Sequence, residues 1–203
     1  IRGPITDLVA TLLSGWASYG AGDAKAAVAN IDKLTGPEWY PIFKDLHTGM
    51  ILETSNKEKE AGTRFERAHK LDDSMLRVSD AYARWLSRNK DGAAAAAIYE
   101  AFDKKLPRHP LVQEGLRDTR AGKKLPPLVD SAQAGAAEAL YGIGATLTRR
   151  GGEDLLAAGG GAREADRYYA VIRDFLKASR TAFTDAYWGK DNYMVTKPVT
   201  LKA

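Results

Sequence analysis

The fold is decided by residues 83–107, ARWLSRNKDGAAAAAIYEAFDKKLP. Ala95, near its middle, lies 34 residues after Ala61, which lies 34 after Ala27. Four residues after each alanine stands Ile31, Phe65 or Tyr99, and three further on Leu34, Ala68 or Phe102. Twelve residues before each alanine the side chain is small: Gly15, Gly49 or Ala83. Small and large residues in matched slots at this period mark a helical repeat.

Working outward, apolar residues recur at helical spacing from Ile5 to Tyr19, and Gly20, Gly22 and Asp23 break the pattern. A partner helix is expected from Ala24 to Leu34, ended by Thr35-Gly36-Pro37. Pro37 suits the first turn of a helix running to Thr54, followed by a second over Lys57–Lys70. The third pair spans Ser74–Arg88 and Ala93–Leu106. The small residues let the two helices of a pair approach, and the large one fills the space to the next pair. One pair cannot bury its apolar face alone, so stacking is required.

Past Pro107 the beat is lost. Arg108–Gly122 reads as one short helix, Lys123–Asp130 as a Pro-Pro loop, and a further helix starts at Ser131 or Ala132 and runs to Arg150. There Gly144 falls in the small slot, Gly151-Gly152 is expected to turn, and Glu153 to begin a partner helix. The aromatic slot falls on Gly160, so this fourth repeat stops halfway. The expected organisation is three helix pairs over 1–107, a connecting helix and partial fourth repeat over 108–158, a Gly-rich joint over 159–162, and a long amphipathic helix with an extended tail over 163–203. The joint reads either as a junction of two unrelated coding sequences or as the lead into a divergent capping helix.

Composition narrows the function classes. Of 203 residues, 44% are apolar and 28% charged, as in a soluble globular protein. A net charge of +4 is too mild to argue for nucleic acid or membrane. With no cysteine there is no disulfide framework and no thiolate nucleophile. No apolar run reaches the ~20 residues of a membrane span. Ile1-Arg2-Gly3-Pro4 carries neither an initiator methionine nor a signal-peptide pattern, and reads as the start of a processed chain or an excised fragment. His47, His69 and His109 form no zinc pair and read as surface or partly packed side chains. No Gly-x-Ser-x-Gly elbow and no phosphate loop is present. The expectation is therefore a protein that is not an enzyme, with no catalytic residues, cofactor or metal.

The matched slots resemble the tetratricopeptide repeat. That motif places small residues at its eighth and twentieth positions, an aromatic at the twenty-fourth, a small one at the twenty-seventh and proline at the thirty-second. The third copy supplies Ala83, Ala95, Tyr99, Phe102 and Pro107; the second Gly49, Ala61, Phe65, Ala68 and Asp73; the first Gly15, Ala27, Ile31, Leu34 and Trp39. Only the third keeps the proline, and it carries a large Phe102 where a small residue is expected. The resemblance implies an all-α fold, a solenoid of helical hairpins. Residues 1–156 resemble exported alphaproteobacterial repeat proteins, which implies a periplasmic home, although this chain carries no export signal. Residues 163–203, and Tyr187–Lys202 above all, resemble the end of the DGQHR family, associated with DNA sulfur modification, without any catalytic motif.

The resemblance further implies a concave groove lined by the first helix of each pair. Carried over by slot, it includes Val9, Leu12, Trp16, Phe43, Leu46, Met50, Arg77, Asp80, Arg84, Arg88, Glu138 and Tyr141. Arg77, Arg84 and Arg88 stand at i, i+7 and i+11, one stripe of a helix. Guanidinium forks suit carboxylates, so an apolar-plus-acidic peptide would complement the groove. The alternative is that Phe43 and Met50 pack between helices, or against further repeats upstream, and the arginines form a solvated face. A second basic cluster, Lys104 to Lys124, lacks the interleaved aromatics of single-strand binding and reads as a solvated connection. The leading expectation is a scaffold for a protein or peptide partner. The alternatives are a nucleic-acid-linked protein using its C-terminal segment, or a structural fragment of a longer array that self-associates through its exposed ends.

Overall fold

The computed structural model describes residues 4–157, with side chains over 4–146. The expected Gly-rich joint, long amphipathic helix and extended tail lie outside the described residues. Among those described, the chain is all-helical. Eight helices follow in order: α1 (Pro4–Gly20), α2 (Ala24–Asp32), α3 (Tyr40–Thr54), α4 (Glu58–Leu71), α5 (Leu76–Asn89), α6 (Gly92–Lys105), α7 (Pro110–Arg120) and α8 (Ala132–Ala157).

The helix starts have local causes. Asp23 accepts from the Ala26 N–H at 2.8 Å and Asp91 from the Ala94 N–H at 2.6 Å, each capping the helix that follows. The expected start of α3 at Pro37 is corrected. The Pro37 carbonyl instead accepts from the Tyr40 N–H at 3.0 Å, and α3 opens at Tyr40 with Pro41 in its first turn.

Two compact units are present, Ile1–Gly135 and Ala136–Ala203. In the first, each helix from α1 to α7 packs on the next, and α1–α3, α3–α5 and α5–α7 also touch. The odd-numbered helices therefore form one row. Ala27, Ala61 and Ala95 are fully buried. A Cβ added at Gly15 would stand 2.6 Å from Ile31, and one at Gly49 would stand 2.7 Å from Phe65. The same small-against-large contact thus recurs at the 34-residue spacing.

That contact also continues past Pro107. Gly115 of α7 lies directly against the Tyr99 ring, so α7 takes up the next position in the odd row. Its small residue comes 32 rather than 34 residues after Ala83, out of phase with the repeat spacing.

The described part of the second unit is the continuation of α8, with Tyr141, Ile143 and Glu138 buried. The expected turn at Gly151-Gly152 is corrected: α8 passes through both glycines to Ala157. Glycine costs a helix only about 1 kcal/mol relative to alanine, whereas proline, which would stop it, is absent there.

Candidate functional site

The row of odd-numbered helices carries most of the residues expected to line a groove, but their environments differ. Leu12, Phe43 and Met50 are fully buried, Trp16 is 1% exposed and Leu46 is buried with them. Phe43 and Met50 thus pack inside, and these side chains offer no apolar groove surface. Val9 is half-buried. Tyr141 and Glu138 are buried in the second unit.

Trp16 donates from Nε1 to His47 Nδ1 at 3.1 Å, and Gly135 lies flat on its indole. His47 is therefore not a surface or partly packed residue: it is fully enclosed, and burial pulls its pKa down to about 3. The imidazole is neutral, with the proton on Nε2, because Nδ1 accepts. His69 and His109 are half-buried, as expected, and burial lowers both.

The arginine stripe is brought together on α5, and it is not a solvated face. The side chains of Arg77, Arg84 and Arg88 are only 14%, 24% and 18% exposed. Arg84 Nε donates to Asp80 Oδ1 at 2.9 Å, and Arg77 reaches Asp80 Oδ2 at 3.6 Å. Tyr99 of α6 donates its hydroxyl to the same Asp80 at 2.6 Å. Arg88 crosses to α3 and pairs with Glu53. Burial raises the Glu53 carboxyl to about 7 against the opposing pull of Arg88. Every guanidinium of the stripe therefore already has a carboxylate.

Sequence reasoning missed what lies on this stripe. After α7 the chain turns back through residues 121–131 and crosses α5. The Leu125 N–H donates to Ser87 Oγ at 2.9 Å, Arg88 donates to the Leu125 carbonyl, and Arg84 Nη1 to the Pro126 carbonyl at 3.3 Å. Leu125, Leu128 and Val129 are buried, while Pro126 and Pro127 are exposed. Further along, Ala132 meets Gly20 at the end of α1. The Pro-Pro signal gave a loop; nothing local in it gave the surface the loop lies on.

Comparison with protein-family models, curated proteins and solved structures returns no match. Among the described residues no three His, Asp or Glu side chains gather as a metal-ligand group, and no helix is long and apolar enough to cross a membrane. The second basic cluster is largely paired with acids: Lys105 with Asp73, Arg120 with Glu100 at 2.8 Å, and Lys123 with Asp118 at 3.0 Å.

Proposed function

We propose that this chain is a tetratricopeptide-type scaffold, not an enzyme, that binds an extended peptide along its row of odd-numbered helices. The observation that carries this reading is the surface of α5. Arg84, Ser87 and Arg88 direct side-chain hydrogen bonds to successive main-chain groups of a non-helical segment. Side chains that hold a backbone, with pockets for alternate apolar residues, are the ingredients of extended-peptide recognition. The recurring Gly15–Ile31 and Gly49–Phe65 contacts support the helical-hairpin repeat beneath it.

The test is an array of immobilised 12-residue peptides probed with the full chain and with Arg84→Glu. Capture by the native chain should fall by about tenfold or more in the variant, a difference of about 1.4 kcal/mol. Capture that is equal in both would sink the assignment of the α5 face.

A further inference from the structure

The segment lying on α5 has a chemistry that matches the surface under it. Arginine side chains offer hydrogen-bond donors and no acceptors. A Pro-Pro pair offers carbonyls and no N–H. Arg88 and Arg84 take the two successive carbonyls of Leu125 and Pro126, and the Leu125 N–H, the last before the two prolines, goes to Ser87 Oγ, an acceptor. Arg77 and Arg84 are paired with Asp80, and Arg88 with Glu53, so a ligand has no need to bring a carboxylate. Leu125 anchors the segment, packing with Ala83, Tyr99, Phe102, Val112 and Leu116. Beyond it, Leu128 is buried three residues on, with the exposed prolines between.

We propose that residues 123–131 act as a built-in ligand of the α5 face, and that the partner taking their place is an extended peptide with an uncharged core, two apolar side chains spaced three apart around a proline pair. This rests on the scaffold reading and changes its expected ligand, from an acidic peptide to one held through its carbonyls. It also makes binding conditional, because the tethered segment competes with any partner. A tether of this kind holds its end at a roughly millimolar effective concentration, enough to mask a site of ~100 µM affinity by about tenfold.

The experiment uses a fluorescent peptide copying residues 123–131 and the full chain, read by anisotropy. Pro126→Gly/Pro127→Gly in the protein loosens the tethered segment at two exposed positions, so the fold is not at risk. The peptide should bind this variant about tenfold more tightly than the native chain, since each lost proline frees backbone entropy in the unbound segment. Adding Arg88→Ala with Glu53→Gln, which keeps the buried pair neutral, should abolish that binding while helicity by circular dichroism is retained. A peptide with glutamates in place of both prolines should bind more weakly. Equal binding to native and Gly-Gly chains would show that the face is not self-occupied, and tighter binding of the glutamate peptide would overturn the uncharged-core chemistry. In either case, Arg84-dependent capture on the array would leave the scaffold reading standing. If no array peptide and no copy binds any form of the protein, the scaffold reading falls and takes this inference with it.

Discussion

The Tyr99 hydroxyl reaches from α6 back to α5 and donates to the Asp80 carboxylate at 2.6 Å. Asp80 is 1% exposed and also holds Arg84 and Arg77. Burial, with the Asp80 charge beside it, pushes the Tyr99 hydroxyl well above the ordinary tyrosine range, so it remains a donor. One carboxylate thus ties the aromatic slot of the third pair to the arginines of α5.

Removing that carboxylate and removing one of its donors should differ. Asp80→Ala leaves Arg84 and Arg77 without their shared partner and is expected to cost about 3–5 kcal/mol. Tyr99→Phe removes one hydrogen bond to a charged group and should cost about 1.5–3 kcal/mol. Urea unfolding of both variants gives the comparison. A larger loss in Tyr99→Phe would mean that Asp80 is not the hub.

The small slot is tested by Gly49→Ala. The added methyl would sit 2.7 Å from the Phe65 ring, inside van der Waals contact. Overpacking of this kind costs about 1–3 kcal/mol. Phe65→Leu in the same chain should return part of that loss, giving a coupling of about 0.5–3 kcal/mol in a double-mutant cycle. Strictly additive losses would rule out this contact as the cause.

Such packing was legible in the sequence because a close approach is recorded as residue size at a fixed spacing. Gly49 and Phe65 could be read that way, and so could the stripe Arg77, Arg84 and Arg88. The partners of the stripe could not. Glu53 and Leu125 come from other elements, and a long-range ion pair leaves no periodic trace. The Asp45–Arg64 pair, 2.9 Å between α3 and α4, makes the same point: 34 residues on from them stand Ser79 and Ile98, which cannot repeat it. Gly115 escaped for a smaller reason, a two-residue slip in the connection before α7. The Gly151-Gly152 turn was overread, since glycine weakens a helix without forbidding it.

Two buried groups should give the fold opposing pH dependences. Glu53 titrates at about 7 in the fold against an ordinary 4.5, so its contribution is complete below pH 4.5 and is lost as pH rises through 7. His47 titrates at about 3 against 6.5, so its contribution is present above pH 6.5 and is lost as pH falls toward 3. Each slope is about 1.4 kcal/mol per pH unit where one proton separates the folded and unfolded states. Between pH 4.5 and 6.5 these two slopes cancel. Glu53→Gln should therefore gain stability as pH rises through that window, and His47→Gln should lose it. Urea midpoints across the window provide the check, and flat profiles in both variants would refute the pair of assignments.

Arg64 clamps three helices and should be the costliest surface-proximal arginine to remove. From α4 it takes both oxygens of Asp32 on α2, at 2.8 and 2.7 Å, and Asp45 on α3 at 2.9 Å. The Asp45 side chain is fully buried, while the Arg64 side chain is 20% exposed. Arg67 also reaches Asp45, at 3.1 Å, but its side chain is 55% exposed. Arg64→Ala strips the buried carboxylate of its enclosed partner and should cost about 3–5 kcal/mol. Arg67→Ala removes a partner already facing water and should cost less than about 1 kcal/mol. Arg64→Lys keeps the charge but cannot fork onto two oxygens of Asp32 while holding Asp45, so it should recover only part of the loss. Denaturation midpoints at low salt and at 1 M salt separate the two sites, because screening over ~3 Å weakens the exposed Arg67 pair far more than the enclosed Arg64 pair. Full recovery in Arg64→Lys would show that charge alone, rather than the geometry of the fork, holds α2, α3 and α4 together.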